Sequence, residues 1–86
     1  MQLKEAIDKA IEQLKSVLAL ETSSVIAASK REDGWQVTIE LIERKSVPDT
    51  QDLLGTYDVT LNDEGEMTGY ERRRIRRRMD LEESVE

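Results

Sequence analysis

The apolar residues change their spacing once, near residue 22, and this change dictates a helix followed by a sheet. Before it, Leu3, Ile7, Ala10, Ile11, Leu14, Val17 and Leu18 recur every three or four residues, with mostly polar residues between them. That is one face of an amphipathic α-helix. Thr22, Ser23 and Ser24 are expected to end it. An isolated helix of this length is marginal in water, so its stripe must cover another element. After the change the period is two. A short strand is expected over 24–30, holding Val25, Ile26, Ala27 and Ala28. Arg31, Glu32, Asp33 and Gly34 read as a turn in which Gly34 supplies a positive φ. Trp35, Val37, Ile39 and Leu41 then alternate with Gln36, Thr38 and Glu40, an apolar face backed by a solvated one.

Ser46, Val47, Pro48, Asp49 and Thr50 interrupt this strand, because proline has no N–H for a ladder. A short helical turn is expected over 51–54, with the Asp49–Asp52 stretch capping it. Strands are expected over 56–61 and 66–75, joined by a hairpin turn at Asn62, Asp63, Glu64 and Gly65. Tyr70 and Ile75 have opposite strand parity. Both can face the core only across a bulge, for which Gly69 is the candidate. The simplest closure is an α+β fold: an N-terminal amphipathic helix packed on a four-stranded antiparallel meander sheet. Residues 1–78 then form a single domain, and 79–86 an acidic, frayed tail.

Composition narrows the function. The 86 residues include no cysteine and no histidine. Disulfides, thiol nucleophiles, cysteine or histidine zinc sites and imidazole acid–base chemistry are therefore excluded. The four glycines are scattered at 34, 55, 65 and 69 and form no phosphate loop. Asp49 with Asp52, and Asn62 with Asp63 and Glu64, lack the spaced oxygens of a calcium loop. The expectation is a protein that is not an enzyme and binds no metal or cofactor. No basic and apolar leader opens the sequence, and no apolar run approaches the ~20 residues that span a bilayer. A cytoplasmic protein with no membrane contact is expected.

The net charge of −6 is unevenly placed. Arg72, Arg73, Arg74, Arg76, Arg77 and Arg78 form a block without an acid, on an otherwise acidic chain. Three roles compete for it. The arginines can pair with the acidic body, through Glu40 or Glu43 on a neighbouring strand. They can dock an acidic partner protein. They can neutralise phosphates, with Tyr70 stacking on a base. The acidic body disfavours the third. Trp35, Tyr57 and Tyr70, the only aromatic residues, are expected in the core.

One stretch is more specific. Gly34-Trp35 opens a strand that ends at Glu43, and Val47-Pro48-Asp49-Thr50-Gln51-Asp52 connects it to Tyr57-Asp58-Val59. An acidic glycine turn, Gly69-Tyr70 and the arginines follow. This resembles the gas vesicle protein O family over residues 34–78. The family's arginine strand usually carries an aromatic where this chain has Ile75 and Arg76. The resemblance implies an accessory protein of gas vesicle assembly, with no catalysis. Its implied partners are other gas vesicle accessory proteins and the shell protein. An acidic surface suits a small protein working beside an aggregation-prone subunit. Pro48, Asp49, Asp52, Arg72, Arg74 and Arg76 are the expected partner contacts. Reversing the charges of Arg72, Arg74 and Arg76 is expected to abolish binding and leave the fold intact. An exposed edge strand offers a route to a homodimer.

Overall fold

The computed structural model describes residues 1–79, and within them the apolar stripe forms α1, Leu3–Leu18. The Gln2 N–H donates to Glu5 Oε1 at 3.2 Å and satisfies one donor at the start of α1. Ala19 ends the helix in the left-handed conformation (φ 56°), its N–H donating to the Lys15 carbonyl. The stop therefore comes earlier than the sequence suggests. Thr22, Ser23 and Ser24 belong to strand β1, Glu21–Arg31, because pairing with the next strand outweighs their turn preference.

Strand β2 runs Gly34–Arg44, β3 Leu53–Asn62 and β4 Met67–Arg77. The four pair in the order β1-β2-β3-β4, each neighbour antiparallel. This is the expected meander with α1 on one face. The core joins Ala6, Ala10 and Leu14 of α1 to Trp35, Val37, Ile39, Leu41, Tyr57, Val59 and Leu61. The two alanines let the helix lie close to the sheet, and each fully buried large side chain contributes about 1.5–3 kcal/mol.

Three local expectations are corrected, while Gly34 has the positive φ expected of it, 159°. A Cβ at that position would stand 1.9 Å from the Leu61 carbonyl oxygen of the adjacent strand. The helical turn after Pro48 is a 3₁₀ turn at Asp49–Gln51, and Leu53 already belongs to β3. The residue at its N-cap is Pro48, with no side-chain cap, so the acids do not cap it. Finally, the bulges of β4 fall at Thr68 and Arg73 rather than at Gly69. Thr60 pairs with Gly69 but Leu61 with Met67, and Thr56 pairs with Arg74 but Tyr57 with Arg72.

Strand β4 also runs two residues past Ile75 and takes in most of the arginine block. The tail expected at 79–86 lies outside the described residues except for Met79, whose N–H donates to the Thr50 carbonyl at 3.1 Å.

Candidate partner interface

The Pro48 loop is held by Asp52. Its Oδ1 accepts the Ser46 N–H at 2.7 Å, and its Oδ2 accepts from Arg78 at 3.1 Å. Its backbone carbonyl accepts the Arg78 N–H at 2.9 Å. One buried carboxylate thus ties the loop to the end of β4. The Ser46 hydrogen bond, followed by Arg78, holds the Asp52 carboxyl below the usual carboxylate range, against the opposing effect of burial. Pro48 and Asp49 remain exposed beside it.

Directly opposed residues share a face of the sheet. On the face away from α1, Arg73 donates to Asp58 Oδ2 at 2.5 Å, and the Thr38 hydroxyl donates to Asp58 Oδ1 at 2.7 Å. Burial pushes the Asp58 carboxyl up, but the Thr38 and Arg73 contacts outweigh it and the net shift is downward. Arg76 pairs with Glu40 at 2.6 Å, with side-chain exposures of 11% and 5%. Glu40 is therefore buried, not solvated as strand alternation suggests. The pair reaches from β4 across β3 to β2, so the two strands are not neighbours. Arg74 shares this face, opposite Thr56, and lines an open polar pocket of about 400 Å³ with Thr38, Thr56, Asp58 and Arg73.

On the α1 side, Arg72 lies opposite Tyr57. The Tyr57 hydroxyl donates to Glu43 Oε2 at 2.5 Å, and Arg72 approaches the same oxygen at 3.7 Å. Burial and the Glu43 carboxylate push the Tyr57 phenol up to about 12. Gly55 lets Glu43 lie across the sheet, since a Cβ there would meet the carboxylate at 2.1 Å. Tyr70 tilts against Tyr57, with ring centroids 6.3 Å apart. Tyr70 itself is 43% exposed, so of the aromatic residues expected in the core only Trp35 and Tyr57 are there.

The expected contact residues are thus divided. Pro48, Asp49, Arg72 and Arg74 are exposed. Asp52 and Arg76 are held inside by charged partners. Reversing Arg76 would face Glu40 with a second buried negative charge, so the triple reversal is expected to destabilise the fold. The Asp58–Arg73 and Asp52–Arg78 pairs and the Tyr57–Glu43 bond were not foreseen. Strand parity alone places Asp58 opposite Thr38 once the meander is assumed. No helix among the described residues is long and apolar enough to cross a membrane. Nor do three or more acids among them gather as a candidate metal site.

The family model described as gas vesicle synthesis protein GvpO matches residues 1–82. The chain belongs to this family. Gas vesicle protein O1 of Halobacterium salinarum is 37% identical over 96% of this chain and 70% of its own length. Gas vesicle protein O of Haloferax mediterranei is 40% identical over 96% of this chain and 60% of its own. The protein of the same name from a Streptomyces is 43% identical over 76% of this chain and 49% of its own. The chain thus spans about half to two-thirds or slightly more of the relatives it matches. No solved structure matches it. Membership implies a role in gas vesicle formation.

Proposed function

We propose that this chain is a non-enzymatic, cytoplasmic adaptor of gas vesicle assembly that binds other gas vesicle proteins by surface contacts. The observation that carries the reading is the presentation of β4. This edge strand holds Arg72 toward the α1 side and Arg74 toward the opposite side, both exposed. Guanidiniums at an open edge recognise carboxylates through paired, directional hydrogen bonds. The exposed Pro48 and Asp49 extend the same end of the molecule, clasped to β4 through Asp52.

Binding of nucleic acid through the block is the weaker reading. Arg73, Arg76 and Arg78 each pair closely with a carboxylate of this chain. A guanidinium already neutralised contributes little to phosphate binding. The test is affinity capture of the tagged protein from cells carrying the complete vesicle gene set, with and without nuclease. Other vesicle proteins are expected in both samples. Recovery of nucleic acid alone, or loss of every protein after nuclease, overturns the adaptor reading.

A further inference from the structure

One of the bulges of β4 decides which face its side chains take. Without the one at Arg73, Tyr70 and Ile75 would point to opposite faces. With it, Tyr70 lies opposite Val59, Arg72 opposite Tyr57 and Ile75 opposite Gly55, so all three share the α1 side of the sheet. Yet α1 does not cover them. Tyr70 and Ile75 remain 43% and 45% exposed. The reason is width. Strands lie about 4.8 Å apart, so a four-stranded sheet needs more than one helix, itself about 10–12 Å across with side chains, to cover a face. The core residues of the sheet all lie on β2 and β3. The β4 flank is left as a shelf: an aromatic ring, a guanidinium and an aliphatic side chain in sequence along one strand.

From this geometry we infer that the shelf formed by Tyr70, Arg72 and Ile75 docks an amphipathic helix of a partner protein, one that carries an acid beside its apolar stripe. The inference deepens the adaptor reading and rests on it. A helix suits the shelf because it lies on the sheet face that α1 already occupies, and helices on one sheet face pack side by side at about 8–10 Å. An acid is required by charge. The Arg72 side chain is 52% exposed, and its carboxylate neighbour, Glu43, lies 3.7 Å away, beyond hydrogen-bond distance. Tyrosine and arginine with an apolar neighbour are the residue types that dominate binding energy at interfaces.

The test is site-specific cross-linking in cells carrying the vesicle gene set. A benzophenone amino acid replaces Tyr70 or Ile75 in turn, and Ser29 or Thr60, exposed positions on the opposite face, as controls. Mass spectrometry locates the attached peptide. Positions 70 and 75 are expected to capture an acidic amphipathic segment of another vesicle protein. Arg72→Glu is expected to lower that yield about tenfold or more, in keeping with a hot-spot residue. Trp35 fluorescence checks that the variant is folded, and if it is not, the cross-link map alone decides. Capture of residues 80–86 of the same chain, of a second copy, or of a segment without acids overturns the inference. Cross-links to vesicle proteins from the control positions alone overturn the shelf but leave the adaptor reading standing. No vesicle protein at any position overturns both.

Discussion

Removing the Arg76 guanidinium while keeping its bulk, as Arg76→Met, should destabilise the domain severely. Glu40 would keep its charge in a site where its side chain is only 5% exposed, on a face it shares with buried Ile42 and Leu54. Two unit charges about 4 Å apart attract by about 4 kcal/mol at an effective dielectric of 20. Breaking a buried pair from one side costs about 3–5 kcal/mol, because the remaining ion is left desolvated. A chain of this size is stable by roughly 4–13 kcal/mol in total. The variant is therefore brought close to unfolding. The assay is urea denaturation followed through Trp35, the single tryptophan, buried against α1. With a slope of about 1 kcal/mol per molar urea, the midpoint should fall by about 3 M or more. The double variant Glu40→Met, Arg76→Met should recover most of the loss, since an apolar replacement of a buried pair is often neutral. A single-variant cost below about 1 kcal/mol would match a solvated surface pair and refute the assignment.

Other perturbations test the remaining features. Gly34→Ala should lower the melting temperature sharply, because its Cβ would clash with the Leu61 carbonyl oxygen, whereas Gly69→Ala, with nothing within 4 Å, should be neutral or slightly stabilising. Ultraviolet titration should show one tyrosine ionising at about 12, that of Tyr57, and Glu43→Gln should bring it part of the way down toward 10 by removing the charge, while burial, the larger cause, keeps it raised. The Asp58 carboxyl lies lower in the folded than in the unfolded chain, so its contribution is complete above the unfolded value of about 3.9 and is lost as pH falls through the folded one. Urea midpoints should therefore drop below about pH 4, and less steeply in Asp58→Asn.

The positions of the elements were legible in the order of residues. Apolar spacing marks α1, and alternation marks β2 and the core half of β3, because a buried face must repeat with the period of its own backbone. The Asn62–Gly65 turn is equally local: Asn62 Oδ1 accepts the N–H groups of Glu64 and Glu66, both at 2.9 Å. Glu40 and Glu43 could be named as partners of the arginine block from charge alone, although β2, which carries Glu40 and Glu43, is not its neighbour.

What tertiary structure alone decided is which arginine meets which acid and which way β4 turns. Arg76 reaches Glu40 across the whole of β3, and no spacing along the chain encodes a contact between strands that are not neighbours. Burial of Asp52 depends on the end of β4 returning to the Pro48 loop, so its role as a clasp is invisible locally. The bulges matter most. One extra residue at Arg73 moves Ile75 to the face of Tyr70, because side chains alternate strictly with position. Sequence determined that a basic strand would lie at the edge of a sheet. Register determined which of its charges are held inside and which face solvent.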